Sequence, residues 1–296
     1  MKVDPRQIRI DWAVGDDERD GWLTTPETVE RFDDIQYGDD PNWQLLDLYR
    51  PKKYDTKLPV IISIHGGAWV YGDKERYQYY CLNLAEEGFA VVNFTYRLAD
   101  EFQFPAPLED ACLVTKWIYE HAEEYDLDID HIFGVGDSAG GHLIGLYSCF
   151  ASNPAYKEKF SFEAPEGFRL SAVALNCGIY ELNMDGKDEF IDECIRLFLT
   201  DHGTPEELET INVLKNMTPD FPPSFVMTAL GDCFRKDARD IKAKLDELGV
   251  YAEFHEYGTE ERPLGHVFHC DFRQPEARMC NHEECDFFKT FCIAFA

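Results

Sequence analysis

The stretch "HIFGVGDSAGGH", residues 131–142, sets a lone serine between glycines directly after an apolar run. One reading is a phosphate-cradling loop. A loop of that kind carries Lys-Ser or Lys-Thr after its last glycine, and Gly140-Gly141-His142 offers neither. A dinucleotide fingerprint belongs in the first strand-helix unit with a spaced acidic partner, and that is also missing. Gly136-x-Ser138-x-Gly140 fits instead a nucleophile held on a sharp strand-to-helix turn, where small neighbours admit a strained serine backbone. The following helix would point its N-terminus at the site and favour developing negative charge. A five-residue pattern matches often by chance, so its weight rests on partners elsewhere in the chain.

The first partner is His65-Gly66-Gly67-Ala68-Trp69, directly after the apolar run that ends at Ile64. Acyl transfer needs backbone N–H groups aimed at a developing oxyanion, and residues without side chains let that backbone come close. Gly66 and Gly67 are the expected donors from one side, with the N–H of Ala139 from the other; taken alone, the pair would read as an ordinary turn. His65 precedes the donors and reads as a brace rather than a base. An acid and a histidine should follow in that order, each past a later strand. Asp232 follows Leu230-Gly231, and His266 follows Leu264-Gly265. His266 would take the proton from Ser138 and return it to the leaving group, while Asp232 holds the imidazole tautomer. Asp237, inside a helical pattern, and His269 are the rivals; position after the strands favours the first pair.

Composition narrows the partners. The chain has 296 residues, 45% hydrophobic and 14% aromatic, enough for a real core. Its 28 basic and 57 acidic residues give a formal charge of -29, which repels phosphate backbones and anionic membrane surfaces. Neither nucleic acid nor membrane is an expected partner. The first residues show no apolar segment behind a basic start, and no run of about 18 apolar residues occurs. Ten cysteines without an export signal suggest reduced thiols and a cytoplasmic location. Cys270, Cys280, His282 and Cys285 lie close in sequence, but without a CxxC pair they read as core residues of an amphipathic terminal helix rather than as a zinc site. No metal and no cofactor is expected.

Along the chain, short apolar runs alternate with helical patterns, the sign of a mostly parallel sheet wrapped by helices. The expected strands are 58–64, 89–94, 132–135, 171–177, 224–230 and 250–257. Residues 1–55 read as antiparallel edge strands, clearest at Trp43–Tyr49, behind a leading arm of residues 1–34. Residues 181–218 interrupt the strand series with polar helical segments, a candidate lid over the carboxyl ends of the strands. The whole of residues 1–296 reads as one domain. Its late edge strand is open to pairing between subunits, so a homodimer is compatible with the sequence.

The chain resembles the hormone-sensitive-lipase-like esterases of the α/β-hydrolase fold, over most of residues 35–295. The resemblance rests on His65–Trp69, on Tyr96-Arg97-Leu98-Ala99 with Glu101 and Phe104-Pro105-Ala106, and on Gly136–Gly141. It extends to Asp232 with Arg235 and to His266-Val267-Phe268. It implies a mostly parallel sheet flanked by helices with a small lid, and a serine carboxylesterase acting on a small-molecule ester. Ala68 stands where many members carry a third glycine, and the arm before residue 35 is short for the family's cap. The same loop is similar to the HGGxW motif of arylformamidases, and the preceding strand to small feruloyl and acetyl esterases. A binding protein on this fold would be expected to lack a triad member, whereas candidates for all three are present. Residues 181–218 are too polar for a fat-binding surface. Short acyl groups, acetyl to butyryl, on an uncharged or aromatic alcohol are therefore the expected substrates.

Overall fold

Runs such as Val60-Ile61-Ile62 and Val91-Val92 are β-branched and apolar at every position, as strands covered on both faces must be. A computed structural model describes residues 3–292. Among these, eight strands form one sheet: β1 (Val29–Gln36), β2 (Leu45–Pro51), β3 (Leu58–Ile64), β4 (Ala90–Phe94), β5 (Leu127–Asp137), β6 (Ala172–Asn176), β7 (Ser224–Ala229) and β8 (Ala252–Tyr257). Their spatial order is β1-β2-β4-β3-β5-β6-β7-β8. The β1–β2 and β2–β4 pairs are antiparallel, and every later pair is parallel.

The helices are α1 (Pro5–Asp20), α2 (Lys74–Glu86), α3 (Ala106–Glu120), α4 (Ala139–Ser152), the short α5 (Pro154–Lys157), α6 (Glu189–Phe198), α7 (Pro205–Thr210), α8 (Val213–Asn216), α9 (Arg235–Leu248) and α10 (Pro275–Cys292). Strand residues alternate between two cores: Val60, Ile62 and Val92 face α3, α4 and α9, while Ile61 and Val91 face α2 and α10. Cys280, Cys285, Phe287 and Phe288 are inside that second core. None of the described helices is long and apolar enough to cross a membrane.

The leading arm, to which the sequence pattern assigned no helix or strand, is largely the helix α1. Asp4 caps it by accepting the N–H of Arg6 at 3.1 Å, and Pro5 occupies its first turn, where the missing N–H costs nothing. Apolar residues at positions 8, 10, 12 and 14 alternate like a strand, which hides the helix. Only part of that row is covered, since Ile10 and Val14 stay exposed.

The topology decides where chemistry can sit. After β3 the chain turns one way to build β4, then crosses to build β5 on the other side of β3. Ligands bind where the strand order reverses in this way, outside the carboxyl ends. Ile64 is registered against Gly136, so the loops that leave β3 and β5 emerge side by side.

Candidate active site

Ser138 sits between β5 and α4 with φ 52° and ψ -120°, a left-handed backbone that a serine adopts only when its surroundings impose it. Gly140 permits the approach, because a Cβ there would lie 2.1 Å from the carbonyl oxygen of Ile64. The N–H of Ser138 donates to Asn176 O at 3.0 Å, tying the turn to the end of β6. Its side chain faces a cavity of about 620 Å³ that it shares with Gly67, Ala68, Phe234 and His266.

His266 lies in the loop after β8. That loop runs beside the one after β7, since the N–H of Gly231 donates to Leu264 O at 2.9 Å. Asp232 Oδ1 accepts from His266 Nδ1 at 2.7 Å and from the N–H of Phe234 at 3.0 Å. Its Oδ2 accepts from the Thr228 hydroxyl at 2.7 Å. Burial alone would raise this carboxyl, but the bonds from His266, Thr228 and Phe234 outweigh it and hold it below its ordinary value. Burial likewise opposes charge on His266, and the carboxylate, with Cys233 beside it, reverses the balance and raises the imidazole well above 6.5. The rivals fall elsewhere. Asp237 lies in α9, with its carboxyl pushed up to about 6 by burial, and makes no bond to His266. His269 is fully buried against Tyr80, and burial lowers it to about 3.

The loop after β3 corrects one expected donor. Gly66 N–H is already engaged by the Tyr77 hydroxyl at 3.0 Å, and that hydroxyl donates in turn to Asp137 Oδ2 at 2.8 Å. Gly67 and Ala68, not Gly66, line the cavity beside Ser138. Gly67 has φ 115°, and a Cβ there would strike Tyr71 O at 2.1 Å, so glycine is required. On this side Gly67 and Ala68 are the loop residues that line the cavity with Ser138, and Ala139 opens α4 directly after the serine.

His65 is buried and lowered to about 4 by burial, so it is neutral; its Nδ1 donates to Gly66 O at 2.8 Å while the ring stacks on Tyr96 at 4.1 Å. This is a brace. Trp69 is braced as well: its indole N–H donates to His142 Nδ1 at 3.2 Å, and His142 Nε2 donates to Ile211 O at 2.8 Å. That chain links the loop to residues 181–218. Among the described residues, the donor groups that converge as metal ligands would are Cys177–Asp232–His266 and Glu87–His282–Asp286. Cys270, Cys280 and Cys285 join neither set; their thiols are buried and pushed up by burial.

Several site residues carry no sequence motif. Trp12, Asp16 and Arg19 of α1 and Phe190 and Ile191 of α6 wall the cavity, and Tyr77 reaches it from α2. The alternating apolar row in α1 was the available signal.

A strained serine at a strand-to-helix turn, a histidine bound to a carboxylate, and a glycine loop beside both, on this sheet, define an α/β hydrolase. A family model described as BD-FAE matches residues 46–233. The chain belongs to the BD-FAE family. Esterase LipC of Mycobacterium tuberculosis is 32% identical over 209 residues, 67% of this chain and 50% of LipC. Versiconal hemiacetal acetate esterase of Dothistroma septosporum is 28% identical over 226 residues, 71% of this chain and 67% of the relative. The match thus spans about half to two thirds of these curated relatives. Among solved structures, esterase B of Lactobacillus rhamnosis with a C4-C4 tributyrin phosphonate superposes with TM-score 0.87 at 26% identity, covering 97% of this chain and 94% of the other. The named relatives are esterases.

Proposed function

We propose that the protein is a serine carboxylesterase that cleaves short-acyl esters through an acyl-enzyme on Ser138. The carrying observation is the 2.7 Å bond between His266 Nδ1 and Asp232 Oδ1 in the cavity that Ser138 faces. With Nδ1 donating to Asp232, Nε2 is the free acceptor, the tautomer a general base needs. His266 takes the serine proton as Oγ attacks the ester carbon, then delivers it to the departing alcohol. The N–H groups of Gly67, Ala68 and Ala139 receive the oxyanion. A water molecule repeats the sequence to release the acid. Residues 181–218 act as the lid of a single catalytic unit. Ten free thiols suit a reducing compartment, so the cytoplasm is its proposed location.

Short acyl groups are favoured by the relatives: one is named for an acetate ester and another was solved with a tributyrin phosphonate. An uncharged or aromatic alcohol suits a cavity walled by Trp12, Phe190 and Phe234 beside carboxylates such as Asp11 and Asp16. The test is a panel of aryl esters from C2 to C12, run beside feruloyl esters and N-formylkynurenine. Rates on C2 to C4 esters should exceed those on C10 and longer. A serine-directed organophosphate should label Ser138, and Ser138→Ala should abolish turnover with the fold intact. Undiminished hydrolysis by that variant would remove the serine mechanism.

A further inference from the structure

One wall of the cavity that Ser138 lines comes from two segments far apart in the chain. Trp12 of α1 meets Phe190 of α6 with ring centroids 5.9 Å apart, and meets Tyr71 edge-on at 5.4 Å. The segments that carry both rings are tethered. On one side of Trp12, Arg9 donates to Val70 O at 2.9 Å and Ala99 O at 2.8 Å. On the other side, Asp16 accepts the Tyr71 hydroxyl and Arg19 donates to Arg76 O at 3.1 Å. Phe190 sits in the first turn of α6, where Asp188 Oδ1 accepts its N–H at 3.0 Å. Trp12 nevertheless remains 38% exposed, so it is not a core residue.

One turn further along α1, Gly15 lines the same cavity. It lies inside a helix, where glycine is the poorer choice. Nothing in its surroundings demands glycine: its φ is not left-handed, and a Cβ there would meet no atom within 4 Å. What the missing side chain leaves is an opening beside Trp12.

We infer that Trp12 and Phe190 form an aromatic lintel, with Gly15 as the gap next to it, that sets the acyl length reaching Ser138. This rests on the esterase reading above and adds the residues that impose the size limit. On this inference a short acyl chain passes beneath the rings, and a longer one meets a ring pair whose carrying segments are tethered by hydrogen bonds.

The experiment measures kcat and KM for C2, C4 and C8 aryl esters with the wild-type protein and with Trp12→Ala, Phe190→Ala and Gly15→Leu. Each methylene newly accommodated against an apolar wall is worth about fourfold in binding. Each alanine variant should therefore raise the C8-to-C4 ratio of kcat/KM at least about tenfold. Gly15→Leu should lower the C4-to-C2 ratio by a similar factor, acting through KM. A merely structural role would lower kcat for all lengths alike. Circular dichroism and melting confirm each fold, and Trp12→Tyr substitutes if the alanine variant fails to fold. If the wild type prefers C2 and C4 but every variant keeps its ratios, the lintel is wrong and the esterase reading stands. If the wild type itself prefers the C8 ester, the short-acyl reading is wrong.

Discussion

His266 owes its basicity first to one carboxylate, with Cys233 adding to it. Asp232 is buried, with both oxygens saturated by hydrogen bonds, so its charge is fixed and it favours the imidazolium. In the proposed mechanism the base must be neutral to act, so activity would be lost as pH falls through the His266 pKa, which lies above the ordinary 6.5. The acid limb of kcat/KM in the wild type should accordingly have its midpoint above 6.5. Asp232→Asn removes the charge and the tautomer lock together. That limb should move to lower pH while the plateau falls by on the order of 10³-fold or more. A pH–rate profile of both proteins on a C2 or C4 aryl ester checks this; an unmoved midpoint would assign the limb to another group.

Among the elements, α1 carries the clearest stability test. It packs on the rest through its arginines and Trp12 rather than through a continuous apolar stripe, leaving Ile10 and Val14 exposed. Because a Cβ at Gly15 meets open space, Gly15→Ala should stabilise the helix by about 0.5–1 kcal/mol through the entropy of the unfolded backbone. Amide exchange across residues 13–19 should slow roughly two- to fivefold, as that free energy requires. Faster exchange would mean that the alanine disturbs a contact. α6 is the opposite case. Its Ile195 and Phe198 are fully buried, and Phe198 stacks on Trp69 at 5.1 Å, which couples the 181–218 segment to the loop after β3.

At the scale of the whole molecule, a carboxyl lies buried beneath the serine turn. Glu284 of α10 accepts from Tyr80 at 2.8 Å and from Asn176 at 2.7 Å, and Asn176 O in turn holds the N–H of Ser138. Burial raises Glu284 from 4.5 to about 7, with those bonds only partly offsetting it. The unfolded chain loses this proton near 4.5, so between pH 4.5 and 7 the folded state binds more protons and stability declines as pH rises. The full effect is on the order of 3 kcal/mol. Glu284→Gln should flatten that decline, so urea unfolding at pH 5 and pH 8 should differ less than in the wild type. An equal decline in both proteins would place its origin in the general acidic charge.

Some of this was legible in residues alone. The central strands declared themselves because a doubly covered strand must be apolar throughout. Ser138, Asp232 and His266 could be singled out as candidates that the fold brings together, because an α/β chain delivers its loops at the carboxyl ends of successive strands. His65 as a brace followed from its place before the donors. Other features needed the third dimension. Gly66 and Gly67 look equivalent in "HGGAW", and only the fold has the Tyr77 hydroxyl, arriving from α2, occupy the Gly66 amide while Gly67 lines the cavity. The meeting of Trp12 with Phe190 is likewise invisible to local pattern. It depends on how α1 lies across the sheet, held by arginines whose partners are backbone carbonyls, and a backbone carbonyl carries no sequence signature.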